Sequence, residues 1–161
     1  MIGADIPKII ERSFPSRYEP IRESLTKCFT AAGISLAVVH GSQAQGRAHE
    51  ASDLDVGLLG AQGEPLSYSR MGRLAADLSE LLSTKVDVSD LATTDAIFRF
   101  EVAKCARVLF EEGPKSFSDF LAKTLIDYAD IQRFVPELVA GVARKARRQS
   151  RLSNRTKGSK A

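Results

Sequence analysis

The chain has 161 residues, 43% hydrophobic and 27% charged, and a formal net charge of +3. That length suits one domain with a helical appendage, and the composition excludes disordered and fibrous classes. No apolar run approaches the roughly 20 residues that a membrane-spanning helix needs.

The N-terminal stretch MIGADIPKII contains Asp5 and Pro7 and has no basic start before an apolar run, which reads against a secretory signal. Two cysteines, Cys28 and Cys105, stand far apart without CxxC spacing. They suggest neither a zinc site nor a disulfide framework, and make a reducing cytoplasm the default expectation. Eight Lys and Arg residues and no acid fall in 144–161, leaving 15 basic against 20 acidic residues in 1–143. The basic character belongs to the tail. The expected organisation is a domain over 1–143 and a flexible basic tail over 144–161. The tail reads as solvated, with RNA or an acidic partner surface as the alternatives.

In chain order, residues 20–32 read as a helix, with Pro20 in the first turn, Leu25, Cys28, Phe29 and Ala32 spaced by three and four, and Gly33 ending it. ISLAVVH, 34–40, is β-branched and apolar and reads as a buried strand. GSQAQGR, 41–47, is a glycine-flanked turn. Residues 53–59 read as a second strand, 66–82 as an amphipathic helix, and 84–91 as a strand with Val86 and Val88 on one face and Asp87 and Ser89 on the other. A helix over 94–104, a strand over 106–113 and a helix from Pro114 onward complete the pattern, with Pro136 expected to kink or interrupt the last helix. The fold class is α/β (α+β): a small mixed sheet covered by helices, with a C-terminal helix.

Three features point to chemistry. Gly41 and Ser42 follow a buried strand, where a glycine admits close backbone approach and backbone N–H groups favour phosphate; a plain turn is the alternative. Asp53 and Asp55 sit at i and i+2 of a strand, so both carboxylates share a face, and a hard divalent cation such as Mg²⁺ would relieve their repulsion. Asp87 lies between two valines on another strand. If the strands are neighbours, three carboxylates would gather on one face as a two-metal site. His40 reads as a packed or capping residue at a strand end, and His49 as a solvated loop residue.

Gly41-Ser42, ten residues, then Asp53-Leu54-Asp55 form a GS-x10-DxD pattern. It resembles the DNA polymerase β-type nucleotidyltransferase superfamily, in its minimal nucleotidyltransferase (MNT) branch. Val86 to Leu91 resembles that branch's third-carboxylate strand, and the segment from Ile97 to Phe120 is similar to MNT antitoxins of HEPN–MNT toxin–antitoxin pairs. The resemblance implies a nucleotidyltransferase fold, with Gly41 and Ser42 on the phosphates of ATP and Mg²⁺ held by Asp53, Asp55 and Asp87. It further implies transfer of AMP to a tyrosine hydroxyl of a HEPN ribonuclease toxin in a hetero-oligomer. The family often reads GS-x-ARG, whereas this chain has Gln43 and Gln45. Either Arg47 supplies the phosphate-facing charge or triphosphate is held less tightly. A non-catalytic toxin-neutralising module of the same fold, and transfer to a small molecule or RNA, are the alternative readings. No Arg-x4–6-His pair of the HEPN type occurs, so the chain resembles the neutralising partner.

Overall fold

The computed structural model describes residues 14–41 and 53–158. The chain divides into two units, Met1–Thr124 and Leu125–Ala161.

In the first unit a 3₁₀ turn, Ser16–Ile21, leads into α1, Arg22–Ala31. The expected helix starts two residues later than Pro20 because Pro20 lies inside the 3₁₀ turn. Leu25 and Phe29, one turn apart, are its fully buried face. Gly33 ends α1 in the left-handed conformation, φ +60°, which a side chain would oppose. The last turn is tied down from outside, where the Arg70 guanidinium donates to the Ala32 carbonyl.

Four strands form one sheet in the order β3-β2-β1-β4: β1, Ile34–His40; β2, Leu54–Gly60; β3, Val86–Asp90; β4, Arg107–Glu111. β1 is antiparallel to β2 and β4, and β2 is parallel to β3. A parallel neighbour requires a crossover, and α2, Tyr68–Leu82, supplies it. Ser67 caps α2 by accepting from the Arg70 N–H, which is why the helix expected from residue 66 begins at Tyr68. α3, Ala96–Cys105, is capped by Asp95, which accepts the Phe98 N–H at 2.8 Å.

Strand alternation divides the core between the two sheet faces. Ala37, Val39, Leu54, Val56, Leu58 and Val86 pack with Leu25 and Phe29 of α1 and Leu74 and Leu78 of α2. Leu36, Val38, Leu91 and Val108 face the other way, onto Val102 and Ala103 of α3 and onto Phe117 and Phe120. The mixed α/β architecture read from the sequence is the observed one.

The last helix, α4, is continuous over Ser116–Gly158 and contains Pro136. Pro136 does not interrupt it: the ring removes one hydrogen bond, a loss that a long run of good helix formers on both sides outweighs. Residues 144–158, read from the sequence as a fraying tail, continue the helix. Arg, Lys, Gln and Leu are strong helix formers, and cations suit a helix C-terminus. In the second unit Ile126, Phe134, Leu138 and Val139 are exposed. No helix among the described residues is long and apolar enough to cross a membrane.

Asp90 closes β3 and holds the loops beside it. It is 5% exposed, and its carboxylate accepts the Leu66 and Ala92 N–H groups, each at 3.0 Å, and the Thr93 hydroxyl at 3.3 Å. Its sequence neighbours gave no sign of this work, because Leu66 is 24 residues away. Asp90→Ala leaves a buried N–H without a partner. It is expected to lower unfolding free energy by about 2–4 kcal/mol, read as a shifted urea midpoint with an unchanged slope.

Candidate active site

The site is assembled by strand register. Asp55 is paired with His40 across the antiparallel β1–β2 ladder and with Asp87 across the parallel β2–β3 ladder. Leu54 and Val56 flank Asp55, Val86 and Val88 flank Asp87, and all four pack toward α1 and α2. The two aspartates are therefore turned to the opposite sheet face, side by side. Asp55 is half-buried and Asp87 exposed. Neither carboxylate has a hydrogen-bond or ion-pair partner among the described residues.

Gly41 follows β1 directly, in the left-handed region with φ +72°. A Cβ there would lie 2.5 Å from Asp55 Oδ2. The backbone angle favours glycine, and a side chain there would have to displace the Asp55 carboxylate. Ser42 and Arg47, the other phosphate-contact candidates, lie outside the described residues, as do Gln43, Gln45 and His49.

Asp53 stands just before β2 and is engaged differently. Its carboxylate accepts from the Lys85 ammonium in an ion pair, and the backbone links the same two positions, since Leu54 N–H donates to the Lys85 carbonyl at 2.9 Å. Asp53 is partly exposed and Lys85 more so. The hydrogen bond to Asp53 holds the Lys85 ammonium above its ordinary pKa, with further attraction from Asp53 and from Asp87 outweighing slight desolvation. Lys85 was not singled out from the sequence. The available signal was its position two residues before Asp87, on the same side of the strand direction.

His40 completes the row. Its ring meets Phe98 edge-on, with centroids 5.7 Å apart, and Ser89 Oγ lies 3.5 Å from Nε2. Burial holds His40 below the usual imidazole pKa, against the pull of Asp55 and Asp87 toward the charged form. The structure agrees with the reading of a packed histidine and adds that it borders the carboxylates.

The donor set suits a hard divalent cation. Asp55 and Asp87 are oxygen donors placed abreast, the glycine leaves Asp55 Oδ2 unobstructed, and Mg²⁺ is typically held by one or two carboxylates with water and phosphate oxygens completing the shell. Among the described residues no group of three or more His, Cys, Asp or Glu side chains is gathered closely enough to hold an ion; Asp53 is ion-paired with Lys85.

A mixed sheet with a glycine bend at the end of one strand and in-register carboxylates on the next two offers a place for a divalent cation beside a phosphate group. The chain belongs to the polymerase beta nucleotidyltransferase family, whose model matches residues 23–115 and so spans the whole site. No curated protein matches the chain significantly. Among solved structures, it is similar to a chain of a toxin–antitoxin crystallised with AMP-PNP, at 23% identity and TM-score 0.63, covering 76% of this chain and 98% of that one. It is also similar to a chain of the complex of MNT antitoxin with tri-AMPylated HEPN toxin from Shewanella oneidensis, at 20% identity and TM-score 0.59, covering 78% and 98%. The toxin–antitoxin MntA–HepT matches to the same extent, at 20% identity and TM-score 0.59. These likenesses establish a shared fold.

Two outcomes test the geometry. Gly41→Ala and Gly63→Ala both place a side chain at positive φ, +72° and +73°, but nothing lies within 4 Å of the Gly63 position. Gly63→Ala is expected to cost only the backbone strain of about 1–2 kcal/mol, and Gly41→Ala clearly more, as measured by chemical denaturation. Because folding lowers the His40 pKa, the unfolded chain takes up the proton first as pH falls. Metal-free protein should therefore lose stability as pH drops below about 6.5, the ordinary imidazole value, until the folded-state pKa is passed. His40→Gln should flatten that slope in the same denaturation series.

Proposed function

We propose that the chain is an MNT-type antitoxin that transfers AMP from ATP to a tyrosine hydroxyl of a cognate HEPN ribonuclease toxin. The in-register pairing of Asp55 with Asp87 beside Gly41 carries this reading. Support for the nucleotide and the acceptor comes from the neighbours solved with AMP-PNP and with a tri-AMPylated HEPN toxin.

On this reading Asp55 and Asp87, joined by Asp53, hold Mg²⁺. The ion, when bound, neutralises phosphate charge and lowers the pKa of the attacking hydroxyl. Gly41 lets the backbone approach the β- and γ-phosphates, with Ser42 and Arg47 adding a hydroxyl and a charge. The tyrosine oxygen forms a bond to the α-phosphorus, the bond from that phosphorus to the bridging oxygen breaks, and pyrophosphate departs. The Asp87 carboxylate, at the exposed edge of the pair, stands to receive the tyrosine proton. His40, kept neutral, adds no competing cation beside the carboxylates. Chemistry of this type depends on positioning and charge neutralisation and needs no covalent enzyme intermediate.

The test is incorporation of labelled AMP into a co-purified HEPN partner. Asp55→Asn and Asp87→Asn should each reduce labelling by at least about a hundredfold, the scale of losing an electrostatic catalytic group, while both variants still bind the partner. Wild-type labelling in both variants would remove the carboxylates from the mechanism. Full toxin neutralisation without labelling would support the non-catalytic module instead.

A further inference from the structure

The Asp53–Lys85 ion pair gives Lys85 a place in the site that neither the motif nor the family match assigns. The stretch between Gly41 and Arg47 carries no basic residue. Lys85 puts an ammonium against the carboxylate row from the neighbouring strand, hydrogen-bonded to Asp53 and within electrostatic reach of Asp87. Backbone pairing holds the two residues together, through Leu54 N–H to Lys85 C=O and the Leu54–Val86 register. The Lys85 side chain is largely and the Asp53 side chain partly solvent-exposed, so the pair is weak and exchangeable.

We propose that Lys85 is a partner-switching positioning residue: it neutralises Asp53 in the nucleotide-free protein and turns to the triphosphate once a divalent cation takes that carboxylate. The inference rests on the reading of Asp53 as a metal ligand. Asp55 and Asp87 stand side by side as two negative charges, Asp53 adds a third just before β2, and Lys85 offsets that charge in the resting protein. The same ammonium competes with a divalent cation for Asp53. When it is released, a flexible four-carbon stem carries a point charge suited to phosphate. Empty site, loaded site and Lys85 are thus linked: tighter metal binding at Asp53 frees the cation that helps hold the nucleotide.

The experiment uses the full chain and two binding measurements that require no transfer. Mn²⁺ alone is titrated by calorimetry or electron paramagnetic resonance against wild type, Lys85→Gln, Asp53→Asn and the double variant. AMP-PNP is then titrated in saturating Mg²⁺. Lys85→Gln should bind Mn²⁺ about two- to fivefold tighter, the scale of an exposed ion pair. That gain should vanish when Asp53→Asn is already present. The same variant should bind AMP-PNP about three- to tenfold more weakly, the scale of one charge-assisted phosphate contact, with a shallower dependence on salt. A merely structural lysine would move neither affinity in these opposite directions. Unchanged or weaker Mn²⁺ binding in Lys85→Gln, or unchanged AMP-PNP binding, overturns the proposal. Asp55→Asn serves as a separate control: if it binds Mn²⁺ like wild type, the metal site itself is misassigned, whatever Lys85 does.

Discussion

The parallel pairing of β2 with β3 is the constraint on which the rest depends. It runs from Leu54 opposite Val86 to Leu58 opposite Asp90, and backbone bonds extend it at both ends, from Leu54 N–H to the Lys85 carbonyl and from Leu91 N–H to the Leu58 carbonyl. Side-chain direction alternates with a period of two, so a slip of one residue would turn Asp55 or Asp87 into the core and bring a valine to the surface. Burying Leu54, Val56, Leu58 and Val86 on the face toward α1 and α2 penalises that slip through several apolar side chains at once. The register is therefore held by hydrophobic burial, and the carboxylates inherit their positions from it. Gly57 fits the same scheme: a Cβ there would lie 2.9 Å from Leu91 Cδ1, so the bare backbone lets Leu91 close the second core beside the site.

Electrostatics in the site follow from that placement. Two carboxylates stand abreast on rigid strands, a histidine is kept neutral by burial at one end of the row, and a lysine ammonium takes up the outlying Asp53. The groups differ in how firmly they are held. Asp55 and Asp87 are located by backbone register, whereas Asp53 and Lys85 depend on exposed side chains that can change partner at little cost. A site for phosphoryl transfer benefits from this division, since rigid elements give precise placement and exchangeable ions let charged substrate enter. Asp90 serves a different purpose. It lies on the same strand as Asp87, three residues on, but is buried and saturated by backbone N–H groups, so its charge maintains the loops.

Family membership accounts for the first unit. The family model spans residues 23–115, and the solved neighbours match 76–78% of this chain with 98% of their own length. At identities of 20–23% the likeness is one of fold. The second unit is a length of helix α4 whose apolar residues Ile126, Phe134, Leu138 and Val139 are exposed. Its apolar spacing continues the three-and-four rhythm begun at Phe117 and Phe120, which are buried in the first unit.

Local patterns determined much of this protein without tertiary information. The apolar run of 34–40, the alternation of Val86 and Val88 with Asp87 and Ser89, and the helical spacing of Leu74 and Leu78 each specify an element and its buried face, because period and burial are properties of neighbouring residues. Gly41 before Ser42, with Asp53 and Asp55 twelve and fourteen residues after Gly41, was legible through the resemblance of that spacing to a family motif. Strand adjacency was not, because the distance from Asp55 to Asp87 in space depends on β3 docking against β2 through the α2 crossover, and nothing within either strand states that partner. The attachment of Lys85 to Asp53, the saturation of Asp90 by Leu66 and the place of His40 beside the carboxylates were likewise decided only by tertiary structure. Each is a contact between residues 15 to 32 or more positions apart in the chain, brought together by a sheet whose order differs from the order of the sequence.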